Sequence, residues 1–232
     1  MDRKPGHLTK DVQQAVNGLT WIKVLGIGNA SSGKTCLIKH FCESKYTTGY
    51  QPTVGVDYGF KIQNIGGSDV RVHLWDLSGS PEYIDVRNEL YTGSDAIFLV
   101  YDVTCQASFE SIDSWLREAS KYSKGNPEIF LVANKIDLNQ KRVVSTADGK
   151  KCAGQHKLRY YEASAATGEG VDKLFSDLLM SIITGRKSGP TSSCTNQRRD
   201  SKVRGSGDTK WNAKLAIEIQ SAEMRGIKSA KH

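Results

Sequence analysis

The stretch WIKVLGIGNASSGKT, residues 21–35, decides how the rest of the chain is read. Its first half, Trp21–Ile27, is a short apolar run rich in branched side chains, as expected of a buried strand. Its second half, Gly28-Asn29-Ala30-Ser31-Ser32-Gly33-Lys34-Thr35, fits G-x-x-x-x-G-K-[ST] and opens a helical pattern. Small residues let the loop turn its backbone N–H groups inward around a phosphate, and the helix N-terminus adds positive potential. In that arrangement Lys34 reaches the outer phosphates and the Thr35 hydroxyl ligates Mg²⁺, while Cys36 is expected to pack under the loop with its N–H placed for the α-phosphate. The motif says nucleotide, but not which one.

Working outward, further short runs follow at 55–65, 70–75, 96–101, 129–133 and 159–163. Two of them, IFLVY and IFLVA, are apolar throughout, as in strands covered on both faces. Ile65-Gly66-Gly67-Ser68-Asp69 is a turn signal, so the second and third runs should pair as a hairpin. Helical spacing marks about 33–44, 81–91, 106–122, 145–156 and 171–183. Strand–helix alternation implies parallel pairing, hence an α/β fold. The expectation is a six-stranded mixed sheet with one antiparallel pair and helices on both faces. Ligands of such sheets sit beyond the carboxyl ends of the strands.

Composition limits the function classes. The chain has 232 residues, 38% of them hydrophobic, and a net charge of +7. Residues 186–232 carry 11 basic and 4 acidic side chains, so the whole excess lies there and the remainder, with 21 of each, is neutral. A neutral domain argues against a nucleic-acid footprint. The organisation expected is a flexible arm at 1–19, a domain at 20–185, a basic disordered linker at 186–210, and 211–232 with the spacing of a short amphipathic helix. Five scattered cysteines without metal spacing, and no apolar N-terminal segment, point to a reduced, intracellular, cytoplasmic protein, the nucleus and the membrane periphery being the alternatives. His40, His73 and His156 are expected to lie apart from carboxylate partners, and Trp115 to face the core.

Four further segments extend the chemistry. Asp76-Leu77-Ser78-Gly79 closes the third run, placing a carboxylate for Mg²⁺ and the Gly79 N–H for a γ-phosphate. Asn134-Lys135-Ile136-Asp137 follows IFLVA. A buried Asp137 carboxylate accepts hydrogen bonds from guanine N1–H and its amino group, which adenine lacks, and such a site can discriminate by ~10⁴. Asn134 would bond the other edge of the base, while the Lys135 stem covers the ring. In Glu162-Ala163-Ser164-Ala165-Ala166 the Ala165 N–H is placed for guanine O6, and Thr53 offers a second hydroxyl to Mg²⁺.

These motifs in this order resemble the Ras-type small GTPases, and more closely the Rab branch, over about Thr20–Thr184. The Rab-like details are Val54-Gly-Val-Asp-Tyr58, Leu74-Trp-Asp76 and Leu99-Val-Tyr-Asp102. The resemblance implies that Tyr46 stacks at the guanine edge, that Tyr50 covers the phosphates, and that Ser164, Ala165 and Ala166 border the base. It also implies two nucleotide-sensing segments, switch I at 46–57 and switch II at 77–91. Through these, effectors, exchange factors and activating proteins would bind. Lys34, Thr53, Gly79 and Ser80 are the expected catalytic set.

Three departures qualify the resemblance. Ser80 stands where relatives carry the glutamine that orients the attacking water, and Ala30 crowds the γ-phosphate region. Both predict slow hydrolysis; the alternative is a non-catalytic scaffold that stays GTP-bound. Ser78-Gly79-Ser80 and Asp85–Tyr91 resemble the Rab-like proteins that in some members carry a J domain, although no His-Pro-Asp tripeptide occurs here. The chain ends Ser-Ala-Lys-His232 with Cys194 distant from that end, so prenylation is not expected. Any membrane contact would be peripheral, through the basic tail.

Overall fold

A computed structural model describes residues 20–187, apart from 47 and 50. The expected arm at 1–19, nearly all of the 186–210 linker, the 211–232 helix and Tyr50 therefore lie outside the described residues. In chain order the elements are β1 (Thr20–Ile27), α1 (Lys34–Glu43), β2 (Val56–Ile65), β3 (Ser68–Leu77), α2 (Ile84–Leu90) and β4 (Ala96–Asp102). They continue as α3 (Gln106–Glu110), α4 (Ile112–Tyr122), β5 (Glu128–Asn134), α5 (Thr146–Gln155), β6 (Arg159–Ala163) and α6 (Val171–Lys187). The sheet order is β2-β3-β1-β4-β5-β6, with β2/β3 antiparallel and every other pair parallel.

Each strand covers its expected run except that β2 starts at Val56, one residue after the left-handed Gly55, and the other differences have local causes. β3 extends to Leu77 because the hairpin ladder continues until Val56 meets Leu77. Gly66 and Gly67 both adopt positive φ, 58° and 82°, a conformation that glycine reaches without a Cβ clash. The segment expected as one helix over 106–122 breaks at Ser111, whose hydroxyl donates to Ala107 C=O at 2.7 Å. The segment at 81–91 begins as a single 3₁₀ turn, Pro81–Tyr83, with proline in the first turn, where its missing N–H costs nothing.

All seven residues of β4 are buried, as are the last five of β5. One side of the sheet packs on α1 and α6 through a cluster in which Phe41 stacks on Phe175 with ring centroids 4.1 Å apart. Phe98 meets Phe175 edge-on at 5.5 Å. This apolar body is what holds the strand ends still. Because β1, β3, β5 and β6 run parallel, the glycine-rich loop, the Asp76 end of β3, Asn134 and Ser164 all emerge at one edge. No helix of the described residues is long and apolar enough to cross a membrane.

Candidate functional site

The sharp turn after β1 is held by glycine at two points. Gly28 has φ 133°, and a Cβ there would lie 2.2 Å from the Val100 carbonyl oxygen. Gly33 caps α1 with φ 93°, and a Cβ there would lie 2.2 Å from Asn134 Nδ2. Ser31 between them is also left-handed, at φ 63°. The loop therefore wraps tightly and delivers Lys34 into the opening of α1.

Lys34 is buried, and its ammonium donates to the Gly28 and Asn29 carbonyls at 2.9 and 3.0 Å. Burial lowers its pKa to about 8; the Asp76 carboxylate pulls the other way. Beside it, Thr35 Oγ1 donates to Asp76 Oδ2, Thr53 Oγ1 donates to the same oxygen at 3.3 Å, and the two hydroxyls lie 3.1 Å apart. Asp76 Oδ1 is buried with no hydrogen-bond partner, and burial raises the pKa of the carboxyl. The two hydroxyls thus serve Oδ2 alone, and the orphaned Oδ1 costs free energy unless a cation meets it. Hard oxygen donors of this kind, completed by phosphate oxygens, suit Mg²⁺. No cluster of three or more His, Cys, Asp or Glu exists among the described residues to suit a softer metal.

A cavity of about 480 Å³ opens over this group, and Lys34, Thr35, Thr53, Gly79, Ser80 and Lys135 line it. Ala30, Ser31, Gly33, Cys36 and the exposed Tyr46 border it as well. Gly79 lies so close to the loop that a Cβ would stand 2.2 Å from Ala30 N. Ser80 does not point its hydroxyl freely into the cavity: it donates to Glu82 Oε1 at 2.8 Å.

The base-reading end departs from expectation in three places. Asn134 is fully buried, with Nδ2 donating to Ser32 C=O at 2.8 Å and Oδ1 accepting from Ala165 N–H at 3.2 Å. It fastens the phosphate loop to the last strand's loop rather than standing open for the base, and it occupies the N–H expected for guanine O6. Asp137 is exposed, not buried. Ser164 Oγ, itself buried, donates to Asp137 Oδ1 at 2.6 Å and orients the carboxylate, so desolvation awaits the ligand. Lys135 takes the left-handed conformation at φ 69° and anchors its ammonium on Asp102 at 2.7 Å, leaving its stem along the cavity. Ala166 follows in the same loop.

Other side chains take part without a readable signal. Trp115 is buried as expected, yet its Nε1–H donates to Asn29 Oδ1 at 2.7 Å, while Asn29 Nδ2 donates to Ser111 Oγ at 3.1 Å. His40 Nδ1 lies 3.1 Å from the Ala165 carbonyl oxygen. His73 is buried, and burial lowers its pKa to about 4. His156 is not apart from carboxylates: just after α5, its Nε2 lies 2.9 Å from Asp113 Oδ1 on α4, and neither residue lines the cavity. Arg87 and Glu118, neither singled out by sequence, meet beneath Ser80.

The model of the Ras family matches residues 23–184. A Danio rerio protein named DnaJ homolog subfamily C member 27 is 40% identical over 166 residues, covering 69% of this chain and 61% of that protein. Its Homo sapiens namesake is 38% identical over 180 residues, covering 75% and 66%. The Mus musculus protein is 36% identical over 202 residues, covering 81% and 74%. The chain thus spans about three fifths of the length of the zebrafish relative.

Proposed function

This chain belongs to the Ras family, and from that membership we propose that it is a Rab-like switch that binds GTP and GDP and hydrolyses GTP slowly. One observation carries the reading: Thr35, Thr53 and Asp76 converge under a cavity with one Asp76 oxygen buried and unpartnered. Bound Mg²⁺ would supply charge neutralisation on the outer phosphate oxygens, held by those three residues. Lys34 would exchange the Gly28 and Asn29 carbonyls for phosphate oxygens, and the loop's N–H groups would surround them. Asp137, oriented by Ser164, would accept from the guanine edge, with Lys135 against the ring and Tyr46 at the rim. Tyr50 would close over the phosphates.

Slow turnover follows from Ser80. Its side chain is short, and its hydroxyl is committed to Glu82. The chain itself therefore does little to orient water, and a partner supplying an arginine or a water-holding group would be worth about 10³–10⁵. Loss of the γ-phosphate would release Thr53 and lower affinity for effectors at switch I and switch II. The same Ser80–Glu82 pairing favours a second reading, a scaffold that stays GTP-bound. We place both readings in the cytoplasm, in trafficking or signalling, with the basic tail making at most a peripheral contact with anionic lipid.

The test is to denature freshly purified protein and identify the released nucleotide by anion-exchange chromatography. Mostly GTP is the expected result and indicates slow hydrolysis. Mostly GDP would show turnover despite Ser80, leaving the switch and removing the scaffold. ATP, or no nucleotide with Mg²⁺ present, would overturn the reading.

A further inference from the structure

The outer face of the β2/β3 hairpin carries large apolar side chains that the nucleotide chemistry does not use. Side chains alternate along each strand. Ile22, Val70 and Val72 therefore point into the cluster under α1 and α6, while Trp21, Arg71 and His73 point the other way. Cross-strand pairing sets Phe60 against His73 and Ile62 against Arg71 on that second face. Trp21, Phe60 and Ile62 are 54%, 48% and 46% exposed, on three adjacent strands. Apolar side chains grouped in this way on a surface mark a docking site.

Arg71 gives the face a charge preference. Its guanidinium lies between two rings, 5.1 Å from the Trp21 centroid and 5.0 Å from that of Phe60. Nε is buried with no hydrogen-bond partner, and the guanidinium forms no ion pair with a carboxylate among the described residues. The Trp21 ring stacks on His73 with centroids 4.4 Å apart, which fixes the indole beside the cation. Such a face suits an apolar ridge flanked by one carboxylate.

Chain able to fill it begins at its edge. Thr20 opens β1, so residues 1–19, outside the described residues, join the domain one position from Trp21. Within them Leu8, Val12, Ala15 and Val16 fall on one side of a helix within about 100° of each other. Asp11 flanks that stripe, and Lys10, Gln13, Gln14 and Asn17 occupy the opposite side. Asn17-Gly18 is a helix-ending turn signal, able to reverse the chain before Thr20. From Leu8 to Val16 a helix measures about 12 Å. The distance from β1 across β3 to β2 is about 10 Å.

We propose that residues 8–17 fold back as an amphipathic helix onto the outer face of the β2/β3 hairpin, seating the stripe on Trp21, Phe60 and Ile62 and pairing Asp11 with Arg71. The dock is independent of the nucleotide reading, since none of these four receiving residues lines the cavity. The same face continues through Tyr58, whose ring lies 5.0 Å from that of Trp75, towards the segment 46–57. A partner gripping the hairpin there has to displace the arm.

Hydrogen exchange on the full chain, at two protein concentrations, tests the dock. A free ten-residue helix is marginal in water, so protection of its amides requires packing. The expected result is exchange within 8–17 at least about tenfold slower in the wild type than in Val12→Ser or Phe60→Ser. Ile62→Ser serves for the receiving face should Phe60→Ser not fold. Asp11→Arg should lose at least about threefold of the protection, and adding Arg71→Glu should restore it. Failure of that rescue overturns the Asp11–Arg71 pairing. Free-chain exchange of 8–17 in the wild type overturns the dock, and so does protection that survives both face variants. Protection lost on dilution gives the face to a second copy of the chain and overturns it as well.

Discussion

The two segments that border the cavity, 46–57 and 77–91, are held by different physics. In the first, Tyr46, Gln51, Pro52 and Val54 are exposed, and the site-facing tie is the Thr53 hydroxyl to Thr35 and Asp76. In the second, Ser78 is buried, and the following residues are pinned by a buried ion pair and by contact with the phosphate loop. A ligand that completed the Asp76 and Thr53 oxygens would add ties to the first segment. The second has its partners within the protein. A family fold that suggests two equivalent sensors thus presents one segment with few ties and one with several, joined where Ser78 N–H donates to the carbonyl of buried Gly55.

The sharpest way to break that contrast is to remove one anchor from each side. Arg87→Ala leaves the largely covered Glu118 carboxylate beside an empty slot and the Ser80 carbonyl without its donor. Breaking one partner of a buried pair costs about 3–5 kcal/mol. Thr53→Ala removes long, partly exposed hydrogen bonds and should cost under about 1 kcal/mol. Urea unfolding of the nucleotide-stripped proteins measures both. Similar losses in the two variants would show that the segments are fastened alike.

A smaller effect comes from the lysine between the two segments. Lys34 has its pKa lowered to about 8 by burial, and phosphate oxygens would restore the charged form. Free protein then loses a proton above about pH 8 that the complex retains, so binding takes up a proton. Affinity should be flat below about pH 7 and fall above about pH 8, by at most about tenfold per pH unit. Titration calorimetry with GDP in two buffers of different ionisation enthalpy gives the proton count directly. A heat of binding that is independent of buffer at pH 9 would place the Lys34 charge elsewhere.

Most of the architecture was legible because its signals are local. Alternating runs and helical spacing located every strand, and Gly66-Gly67 located the one antiparallel hairpin. The phosphate loop was legible for the same reason: Gly28, Gly33, Lys34 and Thr35 are adjacent in sequence. What escaped depends on distance. Nothing about Asn134 in NKID indicates that its amide faces Ser32 and Ala165, 102 and 31 residues away. Nothing in the apolar spacing of residues 106–122 indicates that Trp115 bonds Asn29 or that Glu118 receives Arg87. Helical periodicity says which side of α4 is inward, not which polar groups meet there.

The smallest expected effect concerns Ser80, and it tests the comparison from the catalytic side. Substitution by glutamine lengthens the side chain enough to reach water above the γ-phosphate and frees Glu82 from its present donor. A general acid or base in full alignment is worth about 10²–10⁴. The backbone of residue 80, however, stays under Arg87 through its carbonyl, in a position adapted to the short side chain. Ser80→Gln should therefore raise single-turnover hydrolysis by only about fivefold, roughly 1 kcal/mol of barrier. Gamma-phosphate release from a preloaded complex measures this without interference from nucleotide exchange. A gain of 10² or more would mean that the Ser80 backbone moves freely into the productive geometry, and the second segment would then be no more tightly fastened than the first.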